Sequence, residues 1–151
     1  MTVLLCPAPF SPEREMALLA QGKTGDCGAL ASFVGYCRAT SASGAVEALV
    51  LDHYPGFTEK EIERIAAHVI ERHQLIDLHV LHRVGAVAAG EAIVLVAALS
   101  AHRAPSFAAV AEMMDYLKTD APFWKRELGP SGARWIEPTA DDYARRQEHA
   151  R

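Results

Sequence analysis

Cysteine is scarce in this 151-residue chain, and its arrangement excludes two kinds of stabilised fold. The three cysteines, Cys6, Cys27 and Cys37, are odd in number and form no CxxC unit. Disulfide frameworks and zinc sites need paired spacings, so reduced thiols in the cytosol are the expectation. The histidines show no metal-ligand spacing with nearby acids or cysteines. The sequence therefore predicts no metal site, and no motif in it indicates a bound cofactor.

Excess positive charge and long apolar runs are missing as well. The formal net charge is −4, whereas proteins that bind the nucleic-acid backbone usually carry a basic surplus. The longest apolar run, at 92–101, has ten residues, and a membrane-spanning helix needs about 20. No basic region precedes Pro7 and Pro9, which is unlike a signal peptide. We expect a soluble, cytoplasmic protein that binds neither nucleic acid nor membranes.

The chain does have the composition of one globular domain. Half of its residues are apolar and 23% are charged, and its length suffices to bury a core without disulfides. The predicted elements follow one another as α, β, β, α, β, β, α. This order favours a single α+β domain over residues 1–151 rather than a doubly wound parallel sheet.

Capping signals and apolar periodicity predict three helices, at about 12–21, 58–73 and 107–121. Ser11 is the expected N-cap of the first, because Pro12 follows it at the first helical position. Thr58 and Glu61 form a capping box for the second. The third should end before Pro122, since the residue before a proline avoids the helical conformation.

Short apolar runs predict strands at 27–35, 46–54, 75–84, 91–100 and 135–136. The run 27–35 should be buried, and the run 91–100 should be central because it is almost entirely apolar. Less regular structure is expected in three places. These are a mobile loop at 38–44, a turn at 85–90 and a loose charged tail at 141–151.

The segment from Ser100 to Glu127 gathers positive charge in a protein that is acidic overall. Cations concentrated against the net charge indicate a local anion site. Five cationic side chains lie in this segment: His102, Arg103, Lys118, Lys125 and Arg126.

Lys118 and Lys125 flank a Pro-Phe-Trp insert. Pro122 should kink the chain, so that two segments bring the lysines together. The alternative is a pair of solvated lysines at a helix end, where cations complement the helix dipole. The rigid insert favours a shaped site. A lysine near another cation holds its proton less tightly and becomes a usable acid, base or nucleophile.

Two His-Arg pairs and one further arginine each allow two interpretations. His102 and Arg103 stand between a strand and a helix, where ligands often bind, but they also serve simply to end the strand. Arg38 offers a planar fork for phosphate or carboxylate, although an ordinary loop arginine is the simpler interpretation. For His82 and Arg83 a structural hydrogen-bonding role is favoured over catalysis.

Five motifs follow one another between residues 27 and 137. They are GALASFVGYCR (28–38), DHYPGF (52–57), HRVGAVAAGE (82–91), SAHRAPSF (100–107) and KTDAPFWKRE (118–127). Each is weak by itself. In this order they closely resemble the large, catalytic subunit of molybdopterin synthase, and they cover most of the chain.

The resemblance implies an enzyme, a sulfurtransferase subunit that converts cyclic pyranopterin monophosphate to molybdopterin. The sulfur would come from a thiocarboxylate on the Gly-Gly carboxy terminus of a small ubiquitin-like subunit, which inserts into a pocket of the large one. Large subunits would form a homodimer within a heterotetramer. The implied fold is α+β, with mixed and antiparallel sheets, packed helices, a hammerhead-like arrangement and an extra antiparallel sheet.

The resemblance also implies roles for individual residues. Lys118 and Lys125 match the catalytic lysines, Lys118 contacting the thiocarboxylate carbonyl and Lys125 assisting proton transfer or binding substrate. By motif position, Arg38, His102 and Arg103 would bind the phosphate, and Tyr36 and Cys37 would line the same wall, mainly through their backbone. Arg126 and Glu127 would lie beside the lysines, and Phe33 and Met114 would form the apolar lining. Arg134 would reach across a dimer interface.

Two other functions stay open at the level of the sequence. One is a non-catalytic module that binds a ubiquitin-like carboxy-terminal tail, which the presence of both lysines disfavours. The other is a generic phosphate-metabolite enzyme, which the five ordered motifs disfavour. Phe57 replaces a frequent methionine of the family, and Tyr36-Cys37 is a less usual pair before Arg38. These departures leave every charged position in place and would alter only the shape of the pocket.

Overall fold

The computed structural model describes residues 1–150. Its helices are α1 (Pro12–Gly22), α2 (Phe57–His73), α3 (Arg103–Thr119) and α4 (Ala140–Glu148). Its strands are β1 (Thr2–Cys6), β2 (Ala29–Tyr36), β3 (Thr40–Ser41), β4 (Gly44–Ala45), β5 (Ala48–His53), β6 (Asp77–Arg83), β7 (Gly85–Ala88), β8 (Ala92–Ser100), β9 (Phe123–Gly129) and β10 (Gly132–Ile136). Within residues 1–150, none of these helices is long and apolar enough to cross a membrane.

The first sheet has the strand order β1-β6-β8-β2. β1 pairs with β6 in parallel, and the other two pairs are antiparallel. β8 lies in the middle and is almost fully buried, which confirms the prediction of a central strand. Helices α2 and α3 pack against this sheet, so that Ile62, Val96 and Met113 belong to one apolar core.

The second sheet is entirely antiparallel, with the order β10-β9-β5-β7. A short hairpin of β3 and β4 accompanies it. The second sheet has a small core of its own, which contains Cys37, Val46, Leu51 and Val87. The α+β class with mixed sheets and an extra antiparallel sheet is thus confirmed.

The helix starts follow the capping rules, with one correction. The Ser11 hydroxyl accepts a hydrogen bond from the Arg14 amide at 3.2 Å, as an N-cap does. The predicted box of Thr58 and Glu61 is wrong. Gly56 caps α2 instead, because its φ of +80° suits glycine, and the Gly56 amide donates to the Glu59 carboxylate at 2.7 Å.

Three predictions of local structure are corrected. The expected turn at 85–90 contains strand β7, which pairs with β5 through its backbone. The expected mobile loop at 38–44 contains the β3–β4 hairpin. The run at 27–35, expected to be buried, forms an edge strand whose Phe33 side chain is 43% exposed. Sequence patterns missed these outcomes because edge position and backbone pairing depend on distant strands.

The charged tail, predicted to be loose, forms helix α4 along residues 140–148. Thr139 is its N-cap, and the Thr139 hydroxyl accepts from the Asp142 amide at 3.3 Å. The Arg146 guanidinium donates three hydrogen bonds to the Asp120 carboxylate at the end of α3, at 2.9 to 3.0 Å. Ion pairs of this kind anchor α4 to α3, although the sequence of α4 is too polar to predict that it packs against another helix. Arg151 lies outside the described residues.

Candidate active site

A cleft of about 600 Å³ lies between the end of α3, strand β9 and the segment that joins β10 to α4. Lys118 reaches it from the last turn of α3, and Lys125 reaches it from β9. Pro122 lies between these elements, so the predicted convergence of the lysines from two segments is confirmed. The apolar and aromatic part of the lining includes Leu117, Pro122, Phe123, Trp124, Trp135, Ile136, Pro138 and Tyr143.

Lys125 is the more enclosed of the two lysines. It sits on β9 between Leu51 of β5 and Ile136 of β10. Burial lowers the pKa of its ammonium, the charge of Lys118 lowers it further, and the Asp142 carboxylate opposes both without cancelling them. A lysine with a lowered pKa exchanges its proton more readily near neutral pH, which suits a general acid or base.

Lys118 is half-exposed and carries an ion pair. Its Nζ lies 3.0 Å from Oδ1 of Asp142, a carboxylate that is only 4% exposed. Burial alone would raise the pKa of Asp142, but hydrogen bonds from Thr139 and Lys118 hold it well below its usual range. Asp142 therefore stays ionised beside Lys118 at neutral pH.

His82 forms part of the support beneath the cleft. Its ring stacks on Phe123 with centroids 4.2 Å apart, and its Nδ1 donates to the Arg83 carbonyl at 2.8 Å. Burial and the charge of Lys125 lower its pKa to about 3, so the ring is neutral at pH 7. Arg83 pairs with Glu91 at 3.0 Å. The structural role predicted for this His-Arg pair is confirmed.

Arg126 points to the face of β9 opposite Lys125, because successive strand residues alternate. Its guanidinium pairs with Asp52 at 3.1 Å and lies over the Trp135 ring, 5.2 Å from the centroid. Trp135 and Trp124 line the cleft, whereas Arg126 does not. Arg126 therefore supports the aromatic wall from behind.

Glu127 holds the β3–β4 hairpin. Its Oε1 accepts hydrogen bonds from the hydroxyls of Ser41 at 2.6 Å and Ser43 at 2.7 Å. These two bonds lower the pKa of Glu127, with smaller contributions from Arg134 and Arg38. Arg134 lies 3.7 Å from the same carboxylate in its own chain. The role of Arg134 across a dimer interface stays a prediction.

Arg38 follows β2 and is exposed near Glu127. Its neighbours differ from each other. Tyr36 is half-exposed, whereas Cys37 is buried, with its amide donating to the Glu91 carbonyl and its carbonyl accepting from Gly90. Burial also raises the pKa of the Cys37 thiol, so a packed cysteine fits better than an activated thiolate.

His102 and Arg103 lie far from both the lysines and Arg38 within one chain. Arg103 and Lys118 are at opposite ends of α3, fifteen residues and about 22 Å apart. Ala29, which pairs with Ser100, and Tyr36 are at opposite ends of β2, about 23 Å apart. Arg38 beyond one end and His102 beyond the other therefore cannot grip one phosphate in a single chain.

The two residues predicted to form the apolar lining lie outside this cleft. Phe33 is an exposed residue of β2, at the edge of the first sheet. Met114 packs against the main core between α3 and its neighbours. Across residues 1–150, no group of three or more histidine, cysteine, aspartate or glutamate side chains is arranged to hold a metal ion.

A protein-family model described as MoaE protein matches residues 5–120, well over half of the chain. The chain belongs to the MoaE family. The molybdopterin synthase catalytic subunit of Caulobacter vibrioides is 49% identical to it, over 94% of this chain and 93% of that protein. The subunit of the same name from Pseudomonas aeruginosa is 43% identical over 97% of both chains. The predicted family, enzyme class and function are confirmed.

Solved structures share the fold of this MoaE chain. The molybdopterin biosynthesis MoaE protein of Burkholderia ambifaria superposes with a TM-score of 0.79 at 41% identity, covering 98% of this chain and 97% of its own. A chain from a complex of subunits 1 and 2 of the molybdopterin-converting factor of Helicobacter pylori has a TM-score of 0.74 at 18% identity, covering 89% of both chains. The latter likeness is one of fold alone.

Sequence reasoning missed the contribution of α4 to the MoaE cleft. Tyr143, which lines the cleft, and Asp142, which pairs with Lys118, belong to α4, which was expected to be loose. The signal was present, since Thr139 followed three residues later by Asp142 is an N-cap pattern. The stacking of His82 on Phe123 had no local signal, because the two residues are 41 positions apart in the chain.

Proposed function

We propose that this chain transfers sulfur to a pterin substrate in the Lys118–Lys125 cleft, as the catalytic subunit of a molybdopterin synthase. The observation that carries this is the pairing of an ion-paired lysine with a lysine of lowered pKa in one aromatic cleft. A surface that only bound the carboxy-terminal tail of a partner would need positive charge, but it would not need a lysine with a shifted pKa. The cleft therefore supports chemistry over passive binding.

Lys118 is the residue that meets the incoming tail. A thiocarboxylate is an anion, and the half-exposed Lys118 ammonium at the cleft can donate a charge-assisted hydrogen bond to its carbonyl oxygen. Once the sulfur has bonded to the pterin, the tail is an acyl group that water must release. Attack by water builds negative charge on the same oxygen, and a fixed ammonium stabilises that charge.

Lys125 is the residue that moves protons. Bonding of sulfur to a pterin carbon displaces an oxygen substituent, which leaves more easily when it is protonated. A partly buried lysine whose pKa is lowered can supply that proton and recover it from water. This assigns different tasks to the two lysines, a division that their spacing in the sequence does not reveal.

Two of the phosphate ligands, His102 and Arg103, are proposed to come from a second copy of the chain. Arg103 is about 22 Å from Lys118 along α3, so one small substrate does not reach both in a monomer. In a homodimer, the exposed start of α3 from one copy can face the cleft of the other. The resemblance implies such a dimer, and a symmetric pair would contain two composite sites.

The partner is proposed to be a small ubiquitin-like subunit with a thiocarboxylated Gly-Gly tail. Exposed aromatic side chains near the cleft support a docking surface, since such side chains are enriched at protein interfaces. They are Tyr54, Trp124, Trp135 and Tyr143, with Tyr54 packed edge-on against Trp124 at 5.1 Å. A cytoplasmic location is proposed from the three cysteines, which are all free thiols.

The decisive experiment mixes the purified protein with a thiocarboxylated small subunit and cyclic pyranopterin monophosphate and measures molybdopterin. The Lys118→Ala and Lys125→Ala variants should both fold, and each should form much less molybdopterin than the wild type. Full product from either variant would refute its assigned role. Arg103→Ala should weaken pterin binding and leave small-subunit binding intact. Loss of small-subunit binding instead would show that Arg103 lies at the interface with that subunit and does not bind the phosphate.

A further inference from the structure

Asp142 is a buried carboxylate beside the Lys118 ammonium. Its side chain is only 4% exposed, and its Oδ1 lies 3.0 Å from Nζ of Lys118. We propose that Asp142 is a positioning residue that holds the Lys118 ammonium in place, leaving Lys125 as the lysine that exchanges protons. This inference rests on the proposed function of the two lysines.

The two oxygens of Asp142 have separate tasks. Oδ2 accepts from both the backbone amide and the hydroxyl of Thr139, each at 2.8 Å. Oδ1 faces Lys118 at 3.0 Å and Arg145 at 3.2 Å. The helix cap therefore fixes the orientation of the carboxylate before Lys118 binds it, and the ion pair needs no further ordering of the acid.

Helix α4, which carries Asp142, is itself clamped to α3, which carries Lys118. Arg146 donates three hydrogen bonds to Asp120, and His149 contacts the Asp115 carboxylate at 2.8 Å. An exposed ion pair between two flexible side chains contributes little. Here the acid is buried and both helices are held in register, so the pair defines the position of the ammonium.

Asp142 also acts on Lys125 through space. Its negative charge raises the pKa of Lys125, whereas burial and the positive charge of Lys118 lower it. Removing the carboxylate charge should therefore lower that pKa further. The charged and titratable groups around the lysine pair are Asp120 on the end of α3, Glu137, Asp142 and Arg145 on the α4 side, His53 on β5, His82 on β6 and Glu127 on β9.

Asp142→Asn is the sharpest test, because the amide oxygen can still accept from Thr139 and keep the cap. The matched control is Asp141→Asn, which removes the same charge from an exposed neighbour in the first turn of α4. Sulfur transfer from the thiocarboxylated small subunit is measured in a single turnover between about pH 6 and pH 10. Asp142→Asn should slow the transfer by about tenfold to a hundredfold and move its pH profile to lower pH. Asp141→Asn should do neither, and Asp142→Glu should restore part of the rate.

A second measurement is independent of activity. Dimethylation of the lysines with ¹³C-labelled formaldehyde and NMR titration of the intact protein reports the pKa of Lys125 directly. Asp142→Asn should lower it, and Asp141→Asn should leave it unchanged. An unchanged pH profile and an unchanged Lys125 titration in folded Asp142→Asn would overturn the proposal.

Failure of the proposed function itself is distinguishable. If Lys118→Ala and Lys125→Ala both transferred sulfur at the wild-type rate, the cleft would not be the active site. If both were inactive while Asp142→Asn matched the wild type, only the positioning role would be wrong. The positioning role would also be rejected if Asp142→Asn lost rate only in proportion to its loss of folded protein and the Lys125 titration did not move.

Discussion

The imidazole of His82 lies nearly parallel to the ring of Phe123, with an interplanar angle of 17° and centroids 4.2 Å apart. This stack joins β6 of the first sheet to β9 of the second, next to Lys125. A protonated ring there would be buried beside another cation. Both effects explain why the pKa of His82 is lowered to about 3.

The stack makes folding stability depend on pH in the acidic range. His82 is neutral when folded down to about pH 3, whereas in the unfolded chain it takes up a proton below its ordinary value of 6.5. Because the unfolded state then binds more protons, stability is lost as the pH falls from 6.5 towards 3. The loss is on the order of 1.4 kcal/mol for each pH unit over which the states differ by one proton.

His82→Gln should therefore weaken the acid dependence of the free energy of unfolding, measured by urea denaturation between about pH 4 and pH 7. Glutamine can still donate to the Arg83 carbonyl, so the variant should fold, although it loses the stack. His53→Gln, on a partly exposed histidine of β5, is the matched control for the same change of residue type. An unchanged slope in His82→Gln would mean that the ring is protonated in the folded state.

Replacing each lysine by arginine should separate their roles. Arginine keeps the positive charge but does not release a proton near neutral pH. Lys118→Arg should retain much of the sulfur transfer, because Asp142 can still pair with the guanidinium. Lys125→Arg should lose about a hundredfold or more, since proton transfer contributes on that scale. The measurement is single-turnover molybdopterin formation, and equal losses in both variants would contradict the division of labour.

The extent to which the site was predictable depends on how local its signals are. The convergence of Lys118 and Lys125 followed from Pro122, a residue between them that acts on its own backbone. The buried β8 followed from its apolar run. Two features had no local signal in the sequence, because they depend on pairing between distant strands. One is the stack of His82 on Phe123. The other is the separation of Arg38 from His102 at opposite ends of β2. α4 had a capping signal that its charged composition hid.

Glu127 should control the order of the β3–β4 hairpin. Glu127→Ala removes the acceptor for the Ser41 and Ser43 hydroxyls. Amide hydrogen exchange at residues 40–45 should become faster, and pterin-phosphate binding through the adjacent Arg38 should weaken. A Ser41→Ala/Ser43→Ala double variant should reproduce the exchange, because it removes the donors of the same bonds. Unaltered exchange in both variants would show that backbone pairing alone orders the hairpin.

Mixing two inactive variants should reveal whether the site is composite. If Arg103 of one copy serves the Lys125 cleft of the other, a dimer of one Arg103→Ala chain and one Lys125→Ala chain contains one intact site and one site with both defects. Equal mixing after subunit exchange gives half mixed dimers, hence about a quarter of the wild-type activity at limiting pterin. Each variant alone stays near its own low rate. If a single chain supplied both residues, every site in the mixture would keep one defect, and no activity would return on mixing.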